Sequence, residues 1–134
     1  SFRGIFINHN STHSEKVVLE NVVIDGTTYT ISCDQGMNQN LIAKNCTFYG
    51  WTSFAETIGE VTFEDCTFGK GKTYYEFCRP YAPTNFVGCT FEAGYELGAA
   101  GDVTFENCTI GGVALTADNL ATLVVENIAN ASVK

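Results

Sequence analysis

Val103-Thr104-Phe105-Glu106-Asn107-Cys108-Thr109-Ile110-Gly111-Gly112 is the clearest copy of a ten-residue pattern that recurs along the chain. Val17 to Gly26 (VVLENVVIDG), Leu41 to Gly50 (LIAKNCTFYG), Val61 to Lys70 (VTFEDCTFGK) and Thr84 to Ala93 (TNFVGCTFEA) repeat it, and Leu123 to Ser132 (LVVENIANAS) reads as a degraded sixth copy. The fifth position falls at residues 21, 45, 65, 88, 107 and 127, giving spacings of 24, 20, 23, 19 and 20. Such a period is too short for a two-helix repeat and suits one turn of a β-solenoid.

The columns of the repeat carry the physical argument. The first position (Val17, Leu41, Val61, Thr84, Val103, Leu123) and the third (Leu19, Ala43, Phe63, Phe86, Phe105, Val125) alternate with polar neighbours, as in a strand with every second side chain inward. The parity then slips. The sixth position (Val22, Cys46, Cys66, Cys89, Cys108, Ile128) is apolar, and so is most of the eighth (Ile24, Phe48, Phe68, Phe91, Ile110). Both halves stay inside only if the backbone bends between them. The residue at the bend is Asn21, Asn45, Asp65, Gly88, Asn107 or Asn127, types that enter the left-handed region most cheaply. Stacked coil on coil, these residues form a structural corner ladder.

Glycine-containing turns follow most copies, and a second short strand comes next at Tyr29 to Cys33, Trp51 to Phe54, Thr73 to Cys78, Tyr95 to Leu97 and Val113 to Leu115. Phe2 to Ile7 reads as that same strand in an earlier, incomplete coil, and Thr116 to Leu123 as a short helical excursion. The fold expected is all-β: a right-handed parallel β-helix, a single-stranded solenoid of about six coils.

Composition agrees. The 134 residues, 45% hydrophobic and 16% charged, suit one domain with a sizeable core, spanning 1–134. The first residue, Ser1, reads as the start of a piece cut from a longer chain. A net charge of -8 argues against a nucleic-acid binder, and no apolar run approaches the ~20 residues of a membrane span. Solenoid ends need capping, so flanking domains or end-to-end self-association are expected as partners.

Cys46, Cys66, Cys89 and Cys108 share one inward column. Neighbouring coils hold Cβ atoms near the ~4.8 Å strand spacing, whereas a disulfide prefers roughly 3.5–4.5 Å. The column therefore reads as buried thiols, and Cys33 and Cys78 likewise. His9 and His13 have no cysteine at zinc-ligand spacing. No metal and no cofactor is expected.

Of the outward columns, the fourth is mostly acidic (Glu20, Lys44, Glu64, Val87, Glu106, Glu126), and the seventh is a threonine row at Thr47, Thr67, Thr90 and Thr109. The most unusual stretch is Gly69 to Pro83, GKGKTYYEFCRPYAP, which gathers aromatic and basic residues in a chain with only seven Lys and Arg. Aromatic rings on a solenoid face stack on sugar rings, and a nearby cation fixes a carboxylate or hydroxyl. Trp51, Tyr74, Tyr75, Arg79 and Tyr81 are therefore the candidate glycan-binding residues. The competing reading puts the aromatics in the core and the basic residues on a turn.

The recurring E-N-C-T-F/I, together with Phe2-Arg3-Gly4-Ile5-Phe6, Phe77-Cys78-Arg79-Pro80-Tyr81 and Leu115-Thr116-Ala117-Asp118-Asn119, resembles the right-handed β-helix repeats of the pectate-lyase-like superfamily. It is most similar to the non-catalytic versions in surface and polysaccharide-utilisation proteins of gut bacteria. The resemblance implies a stalk- or adhesin-like module, extracellular or at the bacterial surface, with no catalytic residues. The Asn-Thr-Asp, Asp-Asp, His-Gly and Arg-Ile-Lys segments of that superfamily's galacturonan hydrolases do not occur here. Two alternatives stand beside it: a truncated lyase acting on uronic-acid glycans, for which Lys72, Glu76 and Arg79 are the only local imitation, and a structural segment of a phage tail fibre.

Overall fold

The computed structural model describes residues 3–6, 16–25, 28–32, 40–54, 59–70 and 77–134. Strand β1 (Arg3–Phe6) comes first. The chain then winds through coils that each give one strand to each of three sheets, named B, C and A in the order they are met. The first coil is β2 (Val17–Glu20), β3 (Val23–Ile24) and β4 (Tyr29–Ser32). The second is β5 (Leu41–Lys44), β6 (Thr47–Tyr49) and β7 (Trp51–Phe54). The third is β8 (Val61–Glu64), β9 (Thr67–Gly69) and β10 (Phe77–Pro80). The fourth is β11 (Thr84–Val87), β12 (Thr90–Phe91) and β13 (Glu96–Gly98). β14 (Val103–Glu106) and β15 (Thr109–Ile110) open a fifth.

Sheet B pairs these copies in parallel and in register, with Val17 beside Leu41, Leu41 beside Val61, Val61 beside Thr84 and Thr84 beside Val103. β1 lies against β4 in sheet A, where the earlier partial coil was expected. The molecule is a parallel β-solenoid of about four turns, against the about six that six copies suggested. Crossovers between parallel strands are right-handed as a general rule, which is the hand expected for this coil.

Between sheets B and C the bend has one backbone solution. Asn21, Asn45, Asp65, Gly88 and Asn107 have φ of 57, 51, 53, 64 and 52°. The left-handed turn resets the alternation, so positions one, three, six and eight all face in. From the second coil to the fourth those columns are fully buried. Two aromatic stacks result. Phe63, Phe86 and Phe105 lie nearly parallel with ring centroids 5.2 Å apart, as do Phe68 and Phe91 at 5.1 Å. Across the core the two stacks meet edge to face, Phe63 on Phe68 at 82°. Both geometries suit the ring quadrupole, and each such pair adds about 0.5–1.5 kcal/mol beyond burial.

The C-terminal end departs from the repeat, and this shortens the coil count. Gly111 and Gly112 both have positive φ, 57 and 79°. Two consecutive positive φ angles make the tight turn of a β-hairpin, so β16 (Val113–Ala114) folds back antiparallel on β15 instead of continuing into sheet A. Leu115, Leu120 and Leu123 then close over the core. The Asn119 side chain pins that loop, accepting from the Thr116 N–H at 2.7 Å and donating to the Ala114 carbonyl at 2.8 Å.

Leu123 to Ser132 is consequently not a sixth copy. β17 (Val124–Glu126) belongs to sheet A beside β13, and Val125, expected inward, is 48% exposed. Asn127 is left-handed (φ 55°) but turns the chain from sheet A toward sheet B, so it leaves the corner column. β18 (Ala131–Val133), not Leu123, is the next strand on β14.

Candidate functional site

The outer face of sheet A carries the described part of the aromatic and basic cluster. β4, β7 and β10 are neighbours there, with Tyr29 directly beside Trp51, and Ser53 beside Arg79. The Tyr29 and Trp51 rings lie with centroids 5.3 Å apart and tilted by 35°. Beneath them, Thr30 and Thr52 are buried and share a 2.8 Å hydrogen bond, while the Thr30 hydroxyl also reaches the Trp51 carbonyl at 3.3 Å. A satisfied polar pair thus anchors the strand ends on which both rings sit.

Arg79 projects from the next strand. Its guanidinium reaches Glu126 at 3.3 Å, two strands away, with Gly98 on the intervening β13. Both side chains are partly open to solvent, 34 and 48% exposed, so the pair contributes at most about 1 kcal/mol. Tyr81, just beyond β10, is 44% exposed. Its carbonyl lies where a Cβ on Gly101 would stand, so only glycine fits there. Trp51, Arg79 and Tyr81 therefore sit on one sheet and the corner that follows it. Tyr74 and Tyr75 lie outside the described residues, as do Lys72, Glu76, Cys33, His9 and His13.

Sequence reasoning missed Tyr29 and Glu126. Aligning the third strand of each coil sets Tyr29 and Trp51 at matching starts, a signal that was available. The repeat pattern alone puts Glu126 in the acidic column as part of a sixth copy, and no residue pattern points to Arg79 as its partner.

The remaining columns have structural jobs. Cys46, Cys66, Cys89 and Cys108 are buried free thiols, and Cys78 is a fifth in sheet A. Each column thiol donates toward two carbonyls, that of the residue two before it and one on the preceding coil, as Cys66 does to Glu64 and Ala43, both at 3.4 Å. A small side chain with a weak donor suits a position just inside a bend. Burial pushes the Cys46 and Cys78 thiols up, and contact with Cys108 and then Cys66, together with burial, pushes Cys89 up. Cys46, Cys78 and Cys89 stay neutral at pH 7, while hydrogen bonding with Cys89 pulls the Cys66 and Cys108 thiols down. At the corner ladder the Asn45 side-chain amide donates to the Asn21 side-chain oxygen Oδ1 at 2.8 Å.

Among the described residues, no cluster of three or more His, Cys, Asp or Glu could hold a metal ion. A cleft of about 400 Å³ at the C-terminal end is lined by Ala93, Gly94, Ile110, Gly111, Val113, Asn119 and Thr122, none of them ionisable. Comparison with protein-family models, curated proteins and solved structures gives no match. The chain is a β-solenoid by its own geometry.

Proposed function

We propose that this is a non-catalytic β-helix module of an exported or surface-attached protein, stalk- or adhesin-like, which binds glycan on the outer face of sheet A. The observation that carries the reading is the Tyr29–Trp51 ring pair with Arg79 two residues along the neighbouring strand. A sugar ring presents axial C–H groups to an aromatic face, and a guanidinium presents paired N–H donors to a carboxylate or vicinal hydroxyls. The Arg79–Glu126 ion pair is partly exposed and weak, so an acidic sugar can take the place of Glu126 at small cost. The kinship with pectate-lyase-like β-helices and the bacterial surface location belong to this proposal and rest on the E-N-C-T-F/I motif.

Titration calorimetry against neutral and uronic-acid oligosaccharides tests it. Wild type is expected to bind, with Arg79→Ala and Tyr81→Ala each weakening binding about tenfold while circular dichroism is unchanged. Binding by no oligosaccharide, or binding indifferent to both substitutions, overturns it. A rise in absorbance near 235 nm during incubation with uronans would instead reveal a lyase.

A further inference from the structure

The two ends of the solenoid are closed differently. At the C-terminal end Leu115, Leu120 and Leu123 are buried over the last coil. At the other end β1, β2 and β3 are the terminal strands of their sheets, and among the described residues no strand pairs with their outer edges. Val17, Leu19 and Val22 occupy columns that are fully buried one coil later, yet here they are only half-buried. Val18 and Val23 are 44 and 68% exposed. An open strand edge over an apolar end is a template for further pairing.

The edge of β2 selects its partner. The N–H groups of Val17 and Asn21 donate to Asn40 and Lys44 on the β5 side, at 2.7 and 3.1 Å. Alternate residues of a strand direct their N–H and C=O to opposite sides, so Lys16, Val18 and Glu20 aim theirs out of the end of the solenoid. A second copy, rotated about a two-fold axis perpendicular to the column, presents the same edge running antiparallel. With Val18 facing Val18 of that copy, Val17 meets Leu19 on the core side, and Lys16 meets Glu20 twice over on the outside. Opposite charges set directly across a strand pair are favourable and like charges are not. Centring the pair on Lys16 or on Glu20 would bring like charges together, and centring it on Val17 or Leu19 would set a charge against Val18. One register satisfies the hydrogen bonds, the core and the charges at once.

We propose that the N-terminal edge of the solenoid docks a second copy of this chain, head to head, in a two-fold dimer. The same patch serves both chains, so the assembly closes at two and does not grow into a fibre.

Light scattering and sedimentation velocity on the 134-residue chain, from micromolar toward millimolar concentration, test this. Wild type is expected to show a concentration-dependent dimer. Lys16→Glu and Glu20→Lys should each weaken it about tenfold or more, since each change places like charges across both symmetric pairs. An equimolar mixture of those two variants should recover a heterodimer, because each chain then meets the opposite charge. Val18→Pro removes an outward N–H that no ladder bond uses among the described residues, and should leave a monomer with unchanged circular dichroism. If that variant fails to fold, the exposed charge variants still decide the matter. A wild type that stays monomeric, a dimer that neither charge variant weakens, or a mixture that does not restore pairing overturns the proposal.

Discussion

At the scale of single residues the fold turns on side chains that tolerate positive φ. Asn45 combines a φ of 51° with the side-chain hydrogen bond to Asn21. Asn45→Ala should cost about 1–2 kcal/mol, because a β-carbon strains the left-handed region. Asn45→Gly should cost less, since it loses the side-chain hydrogen bond but relieves the strain. Urea unfolding of the two variants checks the order. The buried thiols give a pH dependence. Burial pushes the Cys78 thiol up from its ordinary 9.0, so the folded chain keeps a proton that the unfolded chain releases in alkali. Stability from this group is therefore fully present at neutral pH and is lost as pH rises above about 9. Wild type should lose urea resistance between pH 8 and pH 10, and Cys78→Ala, less stable at pH 7, should show a shallower fall.

At the scale of elements, the central coils are held by ring stacks and the last coil by a hairpin. Phe86 lies between Phe63 and Phe105 and touches the second stack through Phe68 and Phe91. Phe86→Ala should cost about 3–5 kcal/mol, read from denaturant unfolding, because neighbours fixed by their own ladders cannot collapse into the gap. The hairpin separates two effects at adjacent glycines. A Cβ on Gly112 meets nothing within 4 Å, whereas one on Gly111 comes to 3.0 Å from the Ala93 Cβ. Gly112→Ala should cost about 1 kcal/mol through φ alone, and Gly111→Ala more. Hydrogen exchange should localise both losses to residues 109–123.

What the residues revealed in advance divides along the same line. Wherever one coil repeats its neighbour, side-chain size and the Asn/Asp/Gly column fix inside, outside and bend together. Where the repetition stops, the same letters mislead: Leu-Val-Val-Glu-Asn at 123–127 matches the repeat yet runs through sheet A. Gly111-Gly112 was the readable warning, since two residues tolerant of positive φ permit a reversal that the other copies lack. The Arg79–Glu126 pair was not legible, because it joins strands 47 residues apart through a vacancy over a glycine.

At the scale of the whole molecule, the coils enclose a core filled by their own side chains, and the proposed glycan and dimer contacts lie on an outer face and at one end. Sheet A offers aromatic rings and a cation, and the N-terminal edge offers backbone groups with no strand partner among the described residues. An acidic balance of -8 makes its few cations conspicuous. Arg79→Ala should lower stability by no more than about 1 kcal/mol, as a partly exposed ion pair contributes little. A loss of glycan affinity in that variant then reports on recognition and not on folding, with thermal unfolding as the control.

All of this depends on coils lying flat on one another in parallel register, turned by the left-handed corner. Nuclear Overhauser contacts in an isotope-labelled sample test that most directly. Backbone contacts should run in order from Thr62 to Asn85 to Thr104, and Asn45, Asp65 and Asn107 should show the couplings of positive φ. Close Hα–Hα contacts between the Cys66 and Cys89 segments, the mark of antiparallel pairing, or negative φ at those three residues, would contradict the solenoid.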